Sequence, residues 1–179
     1  MNELTLIEEI RKGNRQAMQQ LYSMTVRYLV GVAQRYISDL EDIKDVLQES
    51  YIQIFGNIGS FTADDPKKLK VWMSRIVANK CVDHLRKQQP WLSTDNELPD
   101  IPDDDEVDVS AVQAELLHRL IRQLPTGYRT ILNLYVFEQK SHKEIAELLG
   151  IKEKTSSSQY HRAKELLRKL ILQHKDDFR

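Results

Sequence analysis

The sequence predicts an all-α chain: two small helical domains joined by a flexible acidic linker, the second domain a helix-turn-helix. Three observations carry that prediction. Apolar residues recur three and four apart through both halves of the 179-residue chain, and no convincing strand alternation interrupts them. Pro90, Pro99 and Pro102 share one short stretch with a run of acids, which neither continues a helix nor buries much surface. Near the C-terminus a serine-capped short helix leads through Gly150-Ile151 into another amphipathic helix.

Taken in order, Leu4, Ile7 and Ile10 give a short first helix. Ala17, Leu21, Met24, Tyr28, Leu29, Val32 and Tyr36 follow Gly13-Asn14 as the inward stripe of a second. Ile43, Val46, Leu47, Ile54 and Phe55 make a third, closed by Gly56-Asn57-Ile58-Gly59, and Leu69, Trp72, Met73, Ile76, Val77 and Leu85 a fourth. The expected domains are residues 1–88 and 112–179, with the linker at 89–111 and no internal repeat. In the second domain Leu116, Leu117, Leu120, Ile121 and Leu124 run up to Pro125. Tyr128, Ile131, Leu132, Tyr135 and Val136 form the next stripe after Gly127.

Composition excludes several classes. With 41% apolar and 30% charged residues the chain has the balance of a globular protein rather than a disordered, collagenous or membrane one. No run approaches the ~18 apolar residues of a membrane span, and Met1-Asn2-Glu3 opens a charged segment unlike a signal peptide, so the expected location is the cytoplasm. The lone Cys81 forms no intramolecular disulfide, and no second Cys or paired His stands at zinc-ligand spacing, so no metal is expected. Glycine-rich phosphate loops and nucleophile elbows are absent, and His84, His118, His142, His161 and His174 show no readable clustering with acids. The expectation is a protein that is not an enzyme and uses neither a cofactor nor a small-molecule substrate.

The net charge of -1 conceals a partition. Residues 93–109 hold eight acids (Asp95, Glu97, Asp100, Asp103, Asp104, Asp105, Glu106, Asp108) and no base, so the rest of the chain is at +7. Residues 67–88 carry seven bases (Lys67, Lys68, Lys70, Arg75, Lys80, Arg86, Lys87) against Asp83 alone. Such a face suits phosphates, although a merely solvated helix surface has the same composition.

Two constellations point to partners. Ser141-His142-Lys143-Glu144 fits a capping box, Ile145, Ala146, Leu148 and Leu149 follow, and Gly150 is placed to end the helix in the left-handed conformation. Thr155 is positioned to cap the last helix, which turns Tyr160, Ala163, Leu167, Leu170 and Ile171 inward. Small Ala146 permits the close crossing of a DNA-binding helix-turn-helix. Ser156, Ser157, Ser158, Gln159, His161 and Arg162 are then the outward donors and acceptors for base edges and phosphates. In the first domain, Asp45, Gln48 and Glu49 share a polar face, and Arg75, Asn79, Asp83 and Arg86 line another. These faces suit a cationic protein surface and a nucleic acid respectively. Two solvated faces in weak mutual charge pairing are the plainer alternative.

At these residues the chain resembles bacterial RNA polymerase sigma factors of the extracytoplasmic-function type, over nearly its whole length. DLEDIKDVLQESYIQIF is similar to the family's polymerase-binding helix, with its D-x-x-Q-E core at Asp45, Gln48 and Glu49. WMSRIVANKCVDHLRK resembles the promoter-melting helix at Trp72, Ile76, Asn79, Asp83 and Arg86, and SHKEIAELLGIKEKTSSSQYHRAKELLRKL resembles the final helix-turn-helix. Family members often carry an aliphatic residue at the position of Ser156 and bases at those of Ser157 and Gln159. The reading helix here is more polar and less charged.

The resemblance implies a transcription initiation factor whose partners are core RNA polymerase and promoter DNA, and it leaves open whether an anti-sigma factor holds it inactive. It assigns Asp45, Gln48 and Glu49 to polymerase; Asn79, Lys80, Asp83, Arg86 and Lys87 to the -10 element; and Thr155, Ser157, Ser158, His161 and Arg162 to the -35 element. It also implies a base-capturing loop at 61–68, where Phe61 and Trp72 either stack on bases or pack in the core. The acidic linker is expected to thread the polymerase channels that later hold nucleic acid. The C-terminal half alone also fits a stand-alone helix-turn-helix regulator with a helical sensor domain, and the helices by themselves a protein-binding adaptor.

Overall fold

The computed structural model describes residues 3–62, 66–88 and 114–174, and all regular structure among them is helical. The chain divides into two compact units, Met1–Leu85 and Arg86–Arg179. The expected linker with its eight acids, and residues 63–65 of the expected base-capturing loop, lie outside the described residues. None of the described helices is long and apolar enough to cross a membrane.

The first unit is built from α1 (Glu3–Arg11), α2 (Arg15–Gln34), α3 (Leu40–Asn57) and α4 (Pro66–Gln88). Asn14 caps α2, its side-chain oxygen accepting from the amides of Gln16 and Ala17 at 3.0 and 3.3 Å. Asp39 caps α3 in the same way through Glu41 and Asp42, and those two acids reinforce a helix start. α3 ends at Asn57, inside the expected closing stretch; Gly56 and Asn57 complete its last turn, and the chain tightens into a short 3-10 turn at Ile58–Ser60.

Two residues of the expected α2 stripe fall elsewhere. Met24 and Tyr28 stay 47% and 43% exposed, because the buried row runs through Leu21, Thr25, Leu29, Val32 and Ala33 and leaves them on its flank. Thr25 fits this row because both its needs are met: its hydroxyl lies 2.7 Å from the Leu21 carbonyl and 2.8 Å from the Tyr51 hydroxyl of α3. Leu69, Met73, Val77 and Cys81 of α4 close the core, which explains why the single cysteine is a small buried hydrophobe.

The second unit comprises α5 (Ala114–Ile121), α6 (Thr126–Val136), α7 (His142–Leu149) and α8 (Glu153–Gln173). α8 packs against α5, α6 and α7. Its Ala163 is fully buried among Ile121, Leu124 and Leu132, and Ile171 packs with Leu116 and Leu120. α6 starts at Thr126, one residue before the expected Gly127, since the φ of -51° at Pro125 already leads into a helix. Ile131 and Leu132 are buried as expected, but the buried face is broader and shifted: Arg129, Thr130, Asn133 and Leu134 are also inside, whereas Tyr135 and Val136 remain 37% and 48% exposed. Arg129 tolerates burial by donating from Nη1 to the Arg122 carbonyl at 2.8 Å, which satisfies the frayed end of α5.

The capping box at Ser141 is present in both directions, and Gly150 ends α7 at φ 69°, ψ 35°. No atom lies within 4 Å of a Cβ built on Gly150, so only backbone strain opposes a side chain there. Gly150→Ala is therefore expected to cost about 1 to 2 kcal/mol, the price of a left-handed L-residue, and Gly150→Asn less. Urea unfolding of the two variants beside the parent checks this.

Candidate nucleic-acid interface

On α3 the side chains of Asp45, Gln48 and Glu49 are all exposed, as is the α4 row Arg75, Asn79, Asp83 and Arg86, together with Lys87. The structure links the two helices at their margins. Lys80 Nζ lies 3.5 Å from Glu49 Oε2, and His84 Nε2 lies 3.3 Å from Asp42 Oδ2. One residue assigned to polymerase and one assigned to DNA thus share an ion pair across the α3–α4 seam. Both ends of that pair reach solvent, where such pairs contribute little. The His84–Asp42 contact was not legible in the sequence, because 42 residues separate two side chains that only helix packing brings together.

At the head of α4, Phe61 and Trp72 are half-buried and lie against each other with ring centroids 5.0 Å apart and an interplanar angle of 36°. The Phe61 carbonyl accepts a hydrogen bond from Arg11 Nη2, tying the end of the 3-10 turn back to α1. Lys67, Lys68 and Lys70, exposed just beyond the ring pair, give this end of the unit a positive surface.

In the C-terminal unit α8 differs from expectation at two positions. Thr155 is not the cap: α8 begins at Glu153, with Lys152 in the N-cap place and no side-chain cap bond. The turn is too short to reach Thr155, because the Ile151 amide already bonds back to the Ala146 carbonyl at 3.1 Å and the chain re-enters helix at once. Ser156, expected outward, is fully buried. The remaining candidates do share a side. Thr155, Ser158, His161 and Arg162 recur at three and four, with Ser158 and His161 exposed and Thr155, Ser157 and Arg162 half-buried. Lys154 is exposed four residues before Ser158 and extends this row with a charge that the sequence reading passed over.

Beneath the row lies a polar and aromatic cluster. His142, the first residue of α7, stacks on Tyr135 of α6 at 4.6 Å and 16°, and its Nδ1 is 3.0 Å from Ser156 Oγ of α8. Tyr160 of α8 meets both rings, at 4.4 Å from Tyr135 and 5.6 Å from His142, and Lys164 Nζ sits 5.3 Å from the Tyr160 centroid. Burial, followed by repulsion from His161, holds the His142 imidazolium below its usual 6.5, with Glu153 opposing. Glu144 is likewise held below the usual carboxylate range by the Ser141 amide and hydroxyl that it accepts from.

These shifts set a pH dependence. His142 binds its proton less tightly folded than unfolded, so its contribution to stability is complete above about pH 6.5 and is lost as pH falls through the lower folded value. The melting temperature of the full chain is expected to fall as pH is lowered from 7 toward the onset of carboxylate titration, and His142→Gln to flatten that part of the profile. Parallel melts of parent and variant across that range check it.

Residues 21–90 match the family model for Sigma-70 region 2, and residues 114–167 match that for Sigma-70, region 4. The chain is 27% identical over 180 residues to the ECF RNA polymerase sigma factor SigW of Bacillus subtilis, covering 92% of this chain and 94% of that one. It is 27% identical over 179 residues to the RNA polymerase sigma-H factor of Pseudomonas aeruginosa, covering 93% and 92%. A solved structure of CnrH in complex with the cytosolic domain of CnrY shares the fold, with a TM-score of 0.50 at 22% identity over 93% of this chain and 95% of that one. With one region matched on each helical unit and full-length relatives of one kind, the chain belongs to the sigma-70 family of RNA polymerase sigma factors, in its extracytoplasmic-function branch.

Proposed function

We propose that three faces of this sigma factor divide the work of initiation. Asp45, Gln48 and Glu49 on α3 dock on a cationic surface of core polymerase. Asn79, Lys80, Asp83, Arg86 and Lys87 on α4 take the -10 element as it opens. Thr155, Ser157, Ser158, His161 and Arg162 on α8, joined by Lys154, read the -35 element as duplex. The chain supplies promoter choice and leaves the chemistry of RNA synthesis to polymerase, so its place of action is the cytoplasm. In domain terms, residues 1–88 hold the polymerase and -10 functions, 89–111 connect, and 112–179 hold the -35 function.

The observation that carries this reading is the match of region 2 to one helical unit and region 4 to the other, in that order, with the acidic row of α3 exposed. A stand-alone regulator needs no acidic docking face beside a basic helix. The weak Lys80–Glu49 pair supports the assignment as well, since a contact worth about 0 to 1 kcal/mol is readily exchanged for a polymerase cation on one side and a phosphate on the other. The modest charge of α8 suits a reader held in place by polymerase rather than by phosphate contacts alone. An anti-sigma factor that covers the α3 face or the α8 row would silence the chain.

Three experiments test the reading. The chain mixed with core polymerase and genomic fragments is expected to yield transcript starts sharing a pair of upstream elements, and Asp45→Arg to lose co-purification with core polymerase. That reversal removes an attraction and adds a repulsion, about 2 to 5 kcal/mol at a desolvated contact. Unaltered co-purification rejects the α3 assignment. In a randomised -35 library, Ser158→Ala and His161→Ala are each expected to change preference at one or two base pairs, by roughly 1 to 3 kcal/mol, whereas loss of a phosphate contact weakens all sequences alike. Selection profiles identical to the parent's for both variants place the reading face elsewhere on α8.

A further inference from the structure

Ser156 is the one fully buried polar side chain of α8, and it lies within the segment assigned to DNA without being able to reach it. A buried hydroxyl needs a partner, and Ser156 Oγ has the imidazole of His142 at 3.0 Å. His142 is itself fixed from a third side by its stack on Tyr135, while Tyr160 closes against both rings. The contact therefore joins the first turn of α7 to the first turn of α8 and references both to α6. Its direction matters. An apolar pair at this point permits slip along the helix axis, but a hydrogen bond weakens steeply once its length or angle departs from a narrow range. Ser158 stands two residues beyond Ser156 and His161 five, so whatever fixes Ser156 along the axis of α8 also fixes where those two side chains meet a base edge.

We propose that His142 and Ser156 form a positioning clasp that sets the axial placement of α8 and through it the -35 base preference, although neither residue touches DNA. The inference rests on the assignment of α8 as the helix that reads duplex DNA. It makes promoter choice depend on a residue of α7 that contributes no base contact.

The test uses the full chain assembled with core polymerase and a randomised -35 library, comparing the parent with His142→Ala, Ser156→Val, the double variant and His142→Asn. Valine fills the buried volume of Ser156 and removes its hydrogen bond, so it remains the arbiter if His142→Ala folds poorly. Asparagine keeps a polar atom near the place of Nδ1. Each of the two disruptive single variants is expected to lose discrimination on the order of fivefold at the positions read by Ser158 and His161. The double variant loses no more than either single, because both remove one contact. His142→Asn regains the parental profile. A merely structural role for the pair lowers melting temperature and depresses transcription from every promoter alike, with base preference unmoved, and that result overturns the proposal. So do additive losses in the double variant or a Ser156→Val profile equal to the parent's. If the parent itself selects no -35 sequence, the assignment of α8 to DNA fails and the clasp falls with it. A parent that selects normally beside variants that match it rejects the clasp alone.

Discussion

Ala163 has no exposed surface, and that single small side chain lets α8 rest on several neighbours at once. A larger residue there would push α8 away from Ile121, Leu124 and Leu132, and the other contacts of the C-terminal unit are built on this closeness. Tyr160, one turn before Ala163, reaches Tyr135 only because α8 and α6 lie near each other, and Ser156, two turns before, reaches His142 only because α8 also lies near α7. The polar and aromatic cluster under the outer row of α8 is thus a consequence of apolar packing further along the same helix.

The N-terminal unit solves a different problem. Four helices must bury a core while keeping charge on two outward faces of opposite sign. The Thr25–Tyr51 hydrogen bond lets α2 and α3 pack closely through polar atoms that satisfy each other, and desolvation pushes the Tyr51 hydroxyl up to about 12, so it remains a neutral donor. Outside that core, the Asp42–His84 and Glu49–Lys80 contacts bind the margins of α3 and α4. The acidic and basic faces are therefore neighbours that touch along one seam.

Much of this architecture was legible because helix periodicity reports burial directly. The rows through Leu21 and Leu29, Val46 and Ile54, and Met73 and Val77 were read from spacing alone, and the capping box and Gly150 marked both ends of α7. The failures share a cause. A side chain at the edge of an apolar stripe faces in or out according to what its neighbours leave uncovered, and spacing does not record that. Met24, Tyr28, Tyr135 and Val136 lie at such edges, whereas Thr25 and Arg129 go inside because the Tyr51 hydroxyl and the Arg122 carbonyl meet their polar atoms. Ser156 looked like a base-reading residue by composition, yet the aliphatic residue that relatives often carry there was the signal that this position faces inward. The site rows on α3, α4 and α8 were visible as patterns, while the links between them, from Glu49 to Lys80 and from His142 to Ser156, depend on tertiary packing.

The brevity of α7 has its own consequence. Eight residues fall well short of the ~12 at which an isolated helix begins to hold in water, so α7 owes its existence to its ends and its neighbours. Glu144 and Ser141 close one end, Gly150 closes the other, and Ile145, Ala146 and Leu149 are buried between. Such a segment is held as a helix by its docking on α8 and α6, so its stability is borrowed from the packing around it rather than from its own length.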